Sequence, residues 1–196
     1  FPTNTYHHNS GGDPEAIPDL SYEQLMAFYK GHYHPSNSIL LTFGNLPVSQ
    51  HHDAFESRAL HRFEKSDEVI EVHLEQAFNE PKRATHRYAL DDTDAAEKTH
   101  LIMGWKLGES SDLDAMLEAQ LLSSVLMENS ASPLMKWLET NDLGTAPSPL
   151  CGLEESMREM VMCCGIEGSE ASRADEFEAS ILDVIRRTAE EGVSEE

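Results

Sequence analysis

Basic residues are scarce. Against 36 Asp and Glu the chain sets only 14 Lys and Arg, a formal net charge of −22 over 196 residues. A binder of nucleic-acid backbones needs a basic face, and so does a binder of anionic membrane surfaces, so neither function is expected. A basic peptide or other cationic partner is the complementary expectation. Cysteine is scarce too. Three residues, with Cys163 and Cys164 adjacent, cannot build a disulfide framework and are natural to a reducing compartment. No run approaches the ~18 apolar residues that a membrane-spanning helix needs. No basic-then-apolar start reads as a signal peptide. Gly-x-Ser-x-Gly, a Walker loop and Gly-x-Gly-x-x-Gly are all missing, as are internal repeats and low-complexity tracts.

What is present suffices for a packed core. Hydrophobic residues make up 39% of a 21.9 kDa chain, which suits one good-sized domain or two small ones. The chain opens on Phe1-Pro2 and ends on Gly192-Val193-Ser194-Glu195-Glu196, where helix chemistry is resuming. This reads as a piece of a longer protein.

Residues 1–20 are punctuated by Gly and Pro and read as an ordered loop. Ser10-Gly11-Gly12 within it is either a plain connector or a place where backbone approaches a ligand closely. Ser21-Tyr22-Glu23-Gln24 is a capping-box pattern that starts a helix with Tyr22, Leu25, Met26 and Tyr29 on one side. The helix is expected to stop near His34-Pro35. Tyr33, Pro35 and Asn37 then set the turn into a short buried strand, 39–43, closed by Gly44. Residues 49–64 predict a helix. After the polar 64–68 segment the texture changes to expected strands over 69–78, 85–90 and 101–107, with a turn at Asp91-Asp92-Thr93-Asp94.

Asp112 starts a helix whose stripe is Leu113, Leu117, Leu121 and Val125, widened by Leu122 and Leu126. Ser132 is expected to cap a helix with Pro133 in its first turn and Leu134, Trp137 and Leu138 on its buried face. Gly144 is placed as that helix's stop. Met160, Met162, Cys164 and Ile166 share one face of a strand. A last helix buries Phe177, Ile181, Val184 and Ile185, with Arg186 and Arg187 late in it, where a helix C-terminus favours cations. The grouping of strands and helices predicts an α+β fold, an antiparallel or mixed sheet packed with helices.

No complete catalytic set emerges. Ten histidines invite a zinc reading, and His7, His8, His32, His34, His51, His52 and His61 crowd the first third. Three or four ligands must converge, and adjacent side chains on a strand point apart. His61-Arg62-Phe63-Glu64-Lys65 begins like the inverted zinc motif H-x-x-E-H, but its fifth position is a cation. The cysteines sit among apolar residues, as small hydrophobes rather than nucleophiles. The many carboxylates form no pairing pattern and read as a solvated acidic surface.

Four blocks in order carry a family resemblance. The first is Phe1-Pro2, Thr5-Tyr6, Ser10-Gly11-Gly12-Asp13-Pro14 and Ile17-Pro18-Asp19-Leu20-Ser21-Tyr22-Glu23. The second is Phe28-Tyr29, then His32-Tyr33-His34-Pro35-Ser36-Asn37. The third is Ala131-Ser132-Pro133-Leu134, Lys136, Leu138-Glu139, Asn141 and Leu143-Gly144. The fourth is Gly165-Ile166 and Gly168, then a helix closing on Ala189-Glu190-Glu191-Gly192. Together they resemble the presequence protease branch of the pitrilysin/insulin-degrading-enzyme zinc peptidases.

The resemblance implies a clamshell enzyme of four related α+β domains. Its zinc is held by an inverted H-x-x-E-H helix and a distant Glu, with the motif's own Glu as general base. Those elements lie upstream of Phe1, so no catalytic residue and no zinc ligand is carried onto this chain. The resemblance makes residues 1–64 the end of the first peptidase-like domain and 65–196 the start of a second, inactive one. Ser10, Gly11, Gly12 and Trp137 become candidates for the wall of a peptide chamber, against the simpler reading of Trp137 as core. The implied partners are peptide substrates, basic ones included, and the remaining domains of the same polypeptide. The compartment is the cytoplasm, or an organelle matrix in a eukaryote. The alternatives are a catalytically dead structural or processing subunit of the same superfamily, and an independent His-rich metal-binding module.

Overall fold

The computed structural model describes residues 1–91 and 94–193. Asp92 and Thr93 of the expected turn, and Ser194–Glu196, lie outside the described residues. The chain divides into two compact units, Phe1–Gln76 and Ala77–Glu196. The division comes after Gln76, beyond the change of texture at 64–68.

The helices and turns of the first unit rest on local hydrogen bonds. Helix α1 spans Tyr22–His32 and helix α2 spans Val48–Arg58. Ser21 and Gln24 form the full capping box, each side chain satisfying the other's backbone amide. Around them run short 3₁₀ turns at Thr5–His7, Ile17–Asp19, Pro35–Asn37 and Leu60–Arg62. The expected strand over 39–43 is not formed: Ile39, Leu41 and Phe43 are almost wholly exposed. A strand is stable only when a neighbour satisfies its ladder, and no strand pairs with this segment among the described residues. The same holds for 69–78 and 85–90, which run without sheet pairing.

The second unit holds the core. Strand β1 (Thr99–Glu109) begins it, followed by α3 (Leu113–Met127), α4 (Pro133–Thr140), β2 (Ala146–Pro147), β3 (Gly152–Glu154), β4 (Glu159–Ser169) and α5 (Ala174–Glu191). All strand pairs are antiparallel. β4 is central, with β1 along one side and β2 and β3 along the other. The fold is therefore α+β with an antiparallel sheet, as the sequence predicts.

Register explains the core. Met160, Met162, Cys164 and Ile166 alternate on β4, and all four are buried. Met103 and Trp105 face them across β1, paired with Cys164 and Met162. Leu134 and Leu138 of α4 and Phe177, Ile181 and Val184 of α5 close over this face. Gly165 lets the strands approach, since a Cβ there would lie 2.6 Å from the Leu101 carbonyl oxygen.

Three local expectations change. The stripe of Leu113, Leu117, Leu121 and Val125 is exposed, and α3 packs instead through Ala119, Leu126 and Met127. The helix is apolar over much of its circumference, so periodicity alone does not select the buried side. Ser132 does not cap the orphan amides of α4; its hydroxyl donates to the Ser124 carbonyl and accepts from the Asn129 amide, each at 3.4 Å. Pro133 does sit in the first turn. Finally, Asn141 rather than Gly144 stops α4: its Nδ2 donates to the Trp137 and Leu138 carbonyls, and its Oδ1 accepts from Leu143 and Gly144. Gly144 serves close approach instead, because a Cβ there would lie 2.7 Å from the Glu167 carbonyl oxygen.

Candidate functional site

Ser10, Gly11 and Gly12 form a tight turn. The Gly11 amide donates to Asn9 Oδ1 and the Gly12 amide to the Asn9 carbonyl, both at 2.9 Å. Gly12 has φ +85°, and a Cβ there would lie 3.0 Å from Ile17 Cδ1. The glycine pair thus has a sufficient conformational reason to be glycine. Trp137 belongs to the other unit. It is half-buried on α4, its ring 6.0 Å from that of Phe177 and tilted 49° to it.

The turn after α1 holds together as a unit. Tyr33 is the helix cap and stacks on Tyr29 with centroids 5.1 Å apart. Pro35 opens the 3₁₀ turn, and Asn37 Nδ2 donates to the Gly31 carbonyl at 3.2 Å. Glu75 is the one buried side chain among the described residues of this unit. Burial pushes its carboxyl up, but hydrogen bonds from the Thr3 hydroxyl and amide and from the Gln76 amide outweigh it and hold the pKa below the ordinary Glu value.

Three of the histidines are engaged locally. His32 Nδ1 lies 3.0 Å from the Phe28 carbonyl oxygen and its ring stacks on Phe28; His34 accepts from the Ser36 amide; His61 Nδ1 lies 2.7 Å from the Glu56 carbonyl oxygen. Among the described residues no group of three or more His, Cys, Asp or Glu converges to hold a metal. The zinc that the family resemblance implies fits no donor set among the described residues. The cysteines are poor nucleophiles. Burial, with the neighbouring Cys151 and Cys163, pushes the Cys164 thiol up to about 12, and burial also raises Cys151 and Cys163.

Sequence reasoning missed one assembled feature. A cavity of about 110 Å³ in the second unit is lined by Glu97, Asp142–Thr145, Gly168–Glu170 and Arg173. Ser169 lines it, is 2% exposed, and its Oγ has no hydrogen-bond partner among the described residues. Gly168 has φ +71°, and a Cβ there would collide with Thr145, 2.0 Å from its Oγ1. Gly165-x-x-Gly168 was the sole local signal, and alone it has no specific reading.

The chain belongs to the family described as the Peptidase M16 inactive domain, which matches residues 19–196. It is 33% identical to the mitochondrial presequence protease of Xenopus tropicalis over all of this chain and 19% of that protein. It is 32% identical to that of Gibberella zeae over 94% of this chain and 18% of that protein. A bacterial relative, Protein HypA of Clostridium perfringens, is 26% identical over the whole chain. The chain spans about a fifth of the length of these curated relatives. No helix among the described residues is long and apolar enough to cross a membrane.

Proposed function

We propose that the parent polypeptide is a zinc metalloendopeptidase that degrades peptides and that this chain is a non-catalytic part of it. The observation that carries this reading is the match to an inactive peptidase domain over residues 19–196, beside a donor set that does not fit zinc. The metal's ligands then belong to an inverted H-x-x-E-H helix elsewhere in the parent. Residues 1–64 finish one peptidase-like domain and 65–196 begin the next. Ser10, Gly11 and Gly12 line the peptide chamber, while Trp137, held against Phe177, serves the core. The net charge of −22 supports basic peptides as substrates. The remaining domains are the partners of the exposed apolar residues Ile39, Leu41 and Phe43 and of the exposed α3 stripe. The presequence proteases among the relatives are named as mitochondrial, which supports an organelle matrix where the source is a eukaryote.

The test is the full-length gene product. An intact H-x-x-E-H ahead of this segment, with chelator-sensitive peptide cleavage that zinc restores, is expected. A parent without the motif, or cleavage indifferent to chelation, overturns the proposal.

A further inference from the structure

Two cysteines meet across β3 and β4. Gly152 pairs with Cys163 and Leu153 with Met162, so one further step along the same register sets Cys151 opposite Cys164. The Cys151 amide donates to the Ser148 carbonyl at 3.1 Å and closes the turn that leads into β3. The Gly165 carbonyl accepts from the Ser148 amide at 2.9 Å and from Cys151 Sγ at 3.4 Å, and the Gly165 amide donates to Cys151 Sγ at 3.3 Å. The backbone groups of Gly165 thus point toward Cys151. Those of Cys164, one residue earlier, point the other way, toward β1. Residues 151 and 164 therefore oppose each other without backbone hydrogen bonds between them, the arrangement that brings antiparallel Cα atoms to about 4.5 Å. A disulfide needs Cα atoms about 4.4–6.8 Å apart.

Both side chains lie on the core face. Cys164 is wholly buried in the core cluster, and Cys151 packs against that cluster. Cys163 points to the opposite face, where a Cβ on Gly104 would lie 3.3 Å from its Sγ. Adjacent side chains of a strand point apart, so Cys163 is no partner for Cys164.

We infer that Cys151 and Cys164 are a thiol pair that oxidation closes into a disulfide tying β3 to β4. Cys151 is the point of entry, because it keeps part of its surface in solvent and Cys164 keeps none. Glutathione disulfide is a sufficient oxidant. Cys151 loses its proton and its sulfur attacks one glutathione sulfur; a mixed disulfide forms, the glutathione S–S bond breaks and one glutathione leaves. Cys164 then loses its proton and attacks Cys151 Sγ; the Cys151–Cys164 bond forms and the second glutathione leaves. The two protein thiols give up two electrons, glutathione disulfide takes them, and the two protons end on the two glutathione thiols. Burial keeps Cys151 and Cys164 protonated, so the pair stays reduced unless the surroundings turn oxidising. Closure draws Cys151 Sγ off the Gly165 amide and carbonyl and fixes the β3 edge covalently.

The test is oxidation of the 196-residue chain by glutathione disulfide in buffer without denaturant, followed by acid quench, maleimide capping and trypsin. Cleavage after Lys136, Arg158 and Arg173 puts Cys151 in peptide 137–158 and both other cysteines in peptide 159–173. Free thiols are expected to fall from three to one, with the two peptides cross-linked, and dithiothreitol is expected to restore all three. Cys163→Ser is expected to keep the cross-link and Cys151→Ser to abolish it. A bond between Cys163 and Cys164 inside peptide 159–173 overturns the inference. So does a cross-link lost in Cys163→Ser, a glutathione adduct that persists on Cys151, or a cross-link that forms only in urea. Three thiols still free after exposure overturn it too. The measurement needs no peptidase activity and is independent of the peptidase reading.

Discussion

Trp137→Ala tests whether α4 is held by its core face. The indole is half-buried and tilts onto Phe177, so it ties α4 to α5 over the sheet. Removing a fully buried Trp costs about 3–5 kcal/mol. Trp137 keeps part of its surface in water, which argues for the lower end, about 2–3 kcal/mol, including roughly 1 kcal/mol from the aromatic pair. Set against the ~5–15 kcal/mol of a typical domain, that is a large share. At about 3–6 °C per kcal/mol for a domain of this size, the melting midpoint falls by about 6–18 °C. Circular dichroism melts of wild type, Trp137→Ala and Trp137→Phe give the answer. The Phe variant keeps a ring against Phe177 and is expected to lose under about 1.5 kcal/mol. An unchanged midpoint in Trp137→Ala refutes the core reasoning and leaves the indole free to face a peptide.

Gly144→Ala drives a methyl against the Glu167 carbonyl oxygen and Ile166, and is expected to cost about 1–3 kcal/mol in a urea melt. Gly31→Ala meets nothing within 4 Å inside α1 and is expected to be neutral or to stabilise by up to about 1 kcal/mol; equal effects from the two variants refute the close-approach argument. With all three thiols shifted upward, iodoacetamide at pH 7.5 is expected to label Cys164 only on unfolding, and rapid native labelling of Cys164 contradicts its burial. Glu75 titrates below its unfolded value, so its Thr3 bonds stabilise the first unit above about pH 4.3 and stop doing so as pH falls through the lower folded value. The stability difference between wild type and Thr3→Ala should therefore be full at pH 6 and vanish in acid; a difference that grows on acidification reverses the sign of the argument.

The parts of the fold written in the sequence are those set by near neighbours. Ser21 and Gln24 are three residues apart and cap α1 as their pattern predicts. Met160 to Ile166 alternate on a strand that pairs on both sides, so alternation alone locates the core face. Ile39 to Phe43 have the same apolar texture but no partner strand, and pairing is a long-range event that composition does not report. Gly144 resembles a helix stop in isolation; only the passage of β4 beside it shows that its missing side chain is what matters. Leu113 and Leu117 versus Ala119 and Leu126 are likewise separated by what packs nearby, not by spacing. The cavity draws on residues 97, 142–145, and 168–170 with 173, three stretches of chain that no motif links. Its signal lies in the buried Ser169 hydroxyl, which has no partner among the described residues and which only the folded chain displays.

The most direct test of the central claim is hydrolysis by the pure 196-residue chain. The chain is incubated with a quenched fluorogenic peptide carrying arginine, with added zinc and with chelator. The account predicts no turnover above background in any condition, because among the described residues no group of three or more His, Cys, Asp or Glu converges on a metal and burial raises the thiols. Turnover that zinc supports and a chelator abolishes, retained through purification, contradicts it.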